Sequence, residues 1–114
     1  MSDIQDFAKD IAADLPNQEG KYSFDLGLIV IIGSIVINVL QLLMKCNIFG
    51  RSLEDRVKNP GPIDKILLGR AIKKELTQEY IHLREDIKQA VLTKIQSLPA
   101  DKINSMAKEA KNAR

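Results

Sequence analysis

Tryptophan is absent from this 114-residue chain, cysteine and histidine occur once each, and aromatic side chains make up only 4%. A single cysteine, Cys46, forms no intramolecular disulfide, so a stapled secreted scaffold is excluded. Cys46 and His82 are far apart in the chain and together supply neither a tetrahedral zinc site nor a Cys/His nucleophile pair. Cys46 reads as a small apolar residue closing a hydrophobic segment rather than a reactive thiol, with S-palmitoylation as a minor alternative. His82 reads as an exposed helical residue. A Gly-rich phosphate loop, a nucleophile beside a base and paired carboxylates in a pocket are also missing. No catalytic, cofactor-binding or metal-ligating residue can therefore be named, and the chain reads as a non-enzymatic protein without a small-molecule substrate.

Charge is missing from one long stretch. Residues 26–44 hold no Asp, Glu, Lys or Arg, and thirteen of these nineteen are Leu, Ile or Val. As a helix they would cover roughly 28 Å, close to the hydrocarbon thickness of a bilayer. Their summed insertion preference exceeds the cost of Asn38 and Gln41. The expectation is a transmembrane helix; the alternative is a hydrophobic central helix covered by other protein. A cleavable signal is a poor fit, because the preceding flank is acidic and no small-x-small site follows.

The net charge of +2 hides a division at that block. Residues 1–25 carry Lys9 and Lys21 against Asp3, Asp6, Asp10, Asp14, Glu19 and Asp25, a net of −4, and residues 45–114 carry +6. Lys45, Arg51, Arg56 and Lys58 follow the block closely, which predicts an N-terminus outside and a cytoplasmic C-terminus.

The periodicity is helical throughout, and no segment alternates as a strand would. Ser2 precedes a helix with Ile4, Phe7, Ile11 and Leu15 on one face and Gln5 at the capping-box position, ending before Pro16. The stretch 16–25 reads as a linker, with Tyr22 and Phe24 where aromatic rings sit at a membrane interface. Ser52 caps a short turn, and Asn59-Pro-Gly-Pro62 redirects the chain. A long helix is expected from Ile63, with Leu68, Ile72, Leu76, Tyr80, Leu83, Ile87, Val91, Ile95 and Leu98 recurring about every 3.75 residues, away from the roughly 3.5 of a left-handed coiled coil. After Pro99, residues 100–113 read as a weakly amphipathic, lysine-rich helix. The expected architecture is all-α: an acidic helix and linker (1–25), one transmembrane helix (26–44), a polar connector (45–62) and a basic helix or helical hairpin (63–114).

Two constellations carry functional expectations. Gly27, Ser34, Asn38 and Gln41 fall on one side of the apolar helix, with Gly33 adjoining. Small residues permit close helix approach, and the amides can bond across such a contact, so this stripe is expected to mediate self-association or docking to another membrane protein. Arg70, Lys73, Lys74, Arg84 and Lys88 fall within roughly a quarter turn on one continuous helix, beside the apolar stripe. That pattern is either an ordinary solvated or packing face or one suited to an anionic membrane surface or an acidic partner. Nucleic acid fits less well, since stacking aromatics are missing.

The acidic N-terminus, the span ending Gln41-Leu-Leu-Met-Lys-Cys46, the connector Arg56-Val-Lys-Asn-Pro-Gly-Pro62 and the basic Arg70-Ala-Ile-Lys-Lys74 together resemble small single-span proteins of marine contractile-tailed phages. The resemblance covers residues 20–75 and brings no site residues. It implies a viral context, as a host-membrane protein or a minor virion component. The expected function is a single-pass anchor or adaptor presenting a helical cytoplasmic region, the alternative being a structural virion protein with the apolar helix buried against other subunits.

Overall fold

The computed structural model describes residues 2–15, 26–46 and 50–113, which form helices and no strand. The linker 16–25, with Tyr22 and Phe24, lies outside the described residues, as does the 47–49 part of the connector. Helix α1 spans Asp3–Asp14, α2 Leu26–Lys45, α3 Leu53–Lys58, α4 Pro62–Glu75, α5 Arg84–Gln96 and α6 Ala100–Asn112, with a 3-10 helix at Gln78–Leu83.

Local chemistry sets several of these ends. Ser2 Oγ accepts from the Gln5 amide at 2.9 Å, and Ser52 Oγ accepts from the Asp55 amide at 3.1 Å, each supplying a partner for an orphan N–H of a first turn. Helix α4 begins with Pro62, whose missing N–H costs nothing there, and Asp64 accepts from the Gly61 amide at 3.0 Å. Gly50, at φ +68°, turns the chain before α3 in a conformation that L side chains rarely adopt.

The long helix expected over 63–98 is two helices. Leu76 and Thr77 are extended (ψ 124° and 166°), and the 3-10 turn follows. An unbroken helix over that range would run about 54 Å, longer than the molecule's largest dimension of 44 Å, and most of its apolar stripe would find nothing to cover it. The break lets α4 lie on α2 while α5 meets α1, α3 and α4. The stripe itself survives: Leu68 through Ile95 are all buried at the positions read from the sequence, and Leu98 is partly buried. Helix α6 is also more strongly amphipathic than its lysines suggest, burying Ile103, Met106, Ala107 and Ala110.

Helix α2 is the centre of this arrangement. It is long and apolar enough to cross a membrane by length and composition, and it packs against α1, α4 and α6. Leu28, Ile29, Ile32, Ile35, Val36, Val39, Leu40 and Leu43 are buried. Most of its other flank is partly covered, and only Leu26, Gly27, Val30 and Lys45 are exposed. The Cα radius of gyration, 13.4 Å, matches the roughly 13 Å of a close-packed chain this long.

Candidate functional site

The polar stripe on α2 is divided among three neighbours. Gly33 faces α1, where a Cβ would lie 3.9 Å from that of Ala8. Asn38 Nδ2 donates to Glu75 Oε2 on α4 at 3.2 Å. Gln41 Nε2 donates to the backbone carbonyls of Ala110 and Ala113 at 2.9 and 3.1 Å, closing the carboxyl end of α6. Ser34 is half-buried and Gly27 exposed. Both amide nitrogens are thus engaged within the chain, at carbonyls and a carboxylate that would otherwise lack those donors.

A second polar centre had no counterpart in the sequence reading. Arg56 and Asp64, 6% and 8% exposed, form an ion pair at 2.9 Å, and Arg56 Nε also donates to Asp64 Oδ1 at 3.0 Å. The same guanidinium donates to the carbonyl of Leu43, in the last turn of α2 where orphan carbonyls and the helix dipole favour a cation. Beside it, Arg51 donates to Asp55 Oδ2 at 2.6 Å and to the Asn59 carbonyl at 2.8 Å. These bonds clamp α3, the end of α2 and the start of α4 together. Arg51 and Asp55 shift one another: the bond to Asp55 raises the Arg51 pKa, and the bonds from Arg51, then Asn59, hold Asp55 below the usual carboxylate range. A small apolar cavity next to this clamp is lined by Val39, Leu43, Val57, Leu68 and Ile95. Among the described residues, no three of His, Cys, Asp and Glu converge as a metal site.

The chain ends are tied in the same way. Asp3 accepts a hydrogen bond from the Ser105 hydroxyl and pairs with Lys102 at 3.4 Å. The Ser105 bond, with Lys102 adding to it, lowers the Asp3 pKa. Glu109 accepts from the Ile4 amide at 3.2 Å, and Lys94 pairs with Asp14 at 2.9 Å, which raises the Lys94 pKa.

The five cations expected on one wheel are separated by the break at Leu76. Arg84 and Lys88 belong to α5, and Arg70, Lys73 and Lys74 to α4. The α4 group remains together on the outward side of its helix, and all three residues are exposed. Ile63 (38% exposed) and Ile66 (63%) share that side. At 100° per residue, Ile63, Ile66, Arg70, Lys73 and Lys74 occupy about 100° of arc, and exposed Lys65 flanks them. Among the described residues, none of these cations has an ion-pair partner within 4.0 Å. The acids of α4 are turned elsewhere, Asp64 into the clamp and Glu75 toward Asn38. Sequence reasoning found the cations and missed Ile66. Its signal was present, since Ile66 lies far out of phase with Leu68 and Ile72 and has cations around it.

Compared with family models, curated proteins and solved structures, the chain matches none.

Proposed function

We propose that the protein is a non-enzymatic docking module, a helical bundle built around α2 that offers the outward face of α4 to a negatively charged surface. The observation that carries this reading is the concentration of Lys65, Arg70, Lys73 and Lys74, free of ion pairs among the described residues, around two exposed isoleucines. Scattered exposed isoleucines are ordinary on protein surfaces. A single-sign face that keeps its acids buried or partnered is not what a merely solvated helix requires.

The test is salt-dependent retention of the full chain on an acidic matrix such as polyglutamate. Lys73→Glu with Lys74→Glu should abolish retention. Arg84→Glu with Lys88→Glu, an equal change in net charge on α5, should leave most of it. Equal loss from both double variants would mean that overall charge, not the α4 face, is responsible.

A second reading is favoured by the length and apolarity of α2: a single-pass anchor, N-terminus outside, whose α2 leaves the bundle for lipid. In the bundle, one face of α2, from Leu28 to Leu43, is already buried where the helix packs against α1, α4 and α6, which supports docking over spanning. Alkaline carbonate separates the two, because a spanning protein stays with the lipid and a docked one is released. A viral setting, as the phage resemblance implies, would suit a docking module at the host membrane or on a virion.

A further inference from the structure

We infer that the surface recognised by α4 is an anionic lipid headgroup layer, with the helix lying in the plane of the interface and Ile63 and Ile66 entering the acyl boundary. This rests on the docking reading above and names its partner. Three features of the face favour lipid over an acidic protein.

First, the exposed cations Lys65, Arg70, Lys73 and Lys74 run along the outside of α4 without an intervening outward acid. Ile63 to Lys74 spans about 16 Å of helix, and a laterally uniform negative surface complements such a row at every point. A protein epitope would have to match it charge by charge.

Second, the two isoleucines occupy the same narrow arc as Arg70, Lys73 and Lys74, with Lys65 outside it. Long Lys and Arg stems can keep their charges among the headgroups while β-branched side chains between them sit deeper, the arrangement of helices that lie on membranes. Third, Ile63, Ile66, Arg70, Lys73 and Lys74 are already exposed in the folded bundle while α4 packs on α2, so the face is open to a surface without first undoing that packing. The acid-rich helix α1, by contrast, exposes Asp6 and Asp10 and would be repelled by the same surface, which orients the molecule with α4 toward the lipid.

Co-sedimentation of the full chain with vesicles tests this. Binding is expected with phosphatidylcholine vesicles containing phosphatidylglycerol, not with phosphatidylcholine alone, and it should fall with added salt. Each cation near the surface contributes roughly fivefold, so Lys73→Glu with Lys74→Glu should weaken partitioning by more than roughly 25-fold, while Arg84→Glu with Lys88→Glu changes it far less. Ile66→Ser should weaken it by about tenfold, the share of one buried apolar side chain. The chain has no tryptophan, so an Ile66→Trp variant reports from that position alone. Its emission should shift to the blue on anionic vesicles and be quenched by lipids brominated in the tails.

Absence of binding to phosphatidylglycerol vesicles, with retention on polyglutamate that still depends on Lys73 and Lys74, would overturn the lipid assignment and leave the docking reading standing. Failure on both supports would overturn both. Vesicle binding without a blue shift for Ile66→Trp, or binding lost through Arg84 and Lys88 instead, would overturn the assignment to this face. Circular dichroism on each variant confirms that the helices persist, as expected for exposed positions.

Discussion

Arg56 shows how much a single side chain can be asked to do in a small bundle. Its guanidinium is nearly buried, pairs with an equally buried carboxylate, and closes the end of α2. Removing one partner leaves an uncompensated buried charge, so Arg56→Met should destabilise the protein by about 3 kcal/mol or more. Replacing both partners, Arg56→Met with Asp64→Leu, should cost clearly less, because no charge is then stranded. Urea denaturation of the two variants checks the order. Asp3 makes a pH-dependent contribution. Its folded pKa lies below the unfolded value, so its bonds stabilise fully above about pH 4 and are lost as pH falls through the lower folded value. Ser105→Ala should therefore melt below the native protein near neutrality, and the two melting curves should converge in acid. Lys94 has the opposite sign: its pairing with Asp14 is complete below its ordinary pKa and is lost as pH rises through the raised value.

At the scale of elements, α2 links the others through both its apolar face and its two amides. Asn38→Leu leaves the Glu75 carboxylate without that donor, and Gln41→Leu frees two carbonyls at the end of α6. Each substitution raises hydropathy yet should cost about 1 kcal/mol of bundle stability. Amide exchange at the end of α6 should quicken in Gln41→Leu and remain unchanged in Asn38→Leu. Position along α2 also matters. Leu40 is fully buried and Val30 is 66% exposed, so Leu40→Ala should cost about 2–5 kcal/mol and Val30→Ala less than about 0.5. A chemical-denaturation series along the helix reads that contrast, which a helix surrounded by lipid would not produce.

For the whole molecule, the distribution of charge is more informative than its sum. Residues 1–25 are acidic and the C-terminal part basic, yet α1 and α6 lie together, joined by Asp3 with Lys102 and Ser105 and by Glu109 at the Ile4 amide. The two charged halves thus meet at the ends of α1, through Asp3 with Lys102 and Asp14 with Lys94. Truncation after Pro99 should consequently do more than delete a terminal helix. It removes part of the cover over α1 and α2 and the carbonyls that hold Gln41, and should expose that flank of α2 to the solvent. Dye binding to apolar surface should rise sharply in a 1–99 chain and remain low in the full protein.

The sequence alone determined what depends on neighbours within about four residues. The Ser2 and Ser52 caps, the stop before Pro16, the bend around Pro60–Pro62 and the apolar stripe from Leu68 to Ile95 were all legible, because capping and helical phase are local. So was the length of α2, which follows from an uncharged run. Only the tertiary structure decided what those helices meet. The extended pair Leu76–Thr77 carries no strong breaker, and the chain turns there because a straight helix would outrun its cover. Asn38 and Gln41 acquired their partners from α4 and α6, and Arg56 found Asp64 and the end of α2 through packing that brings distant segments together. The outward phase of Ile66 likewise became a surface feature only when α4 chose the side it lays on α2. Sequence patterns state which groups need burial or partners; the chain's overall packing decides who supplies them.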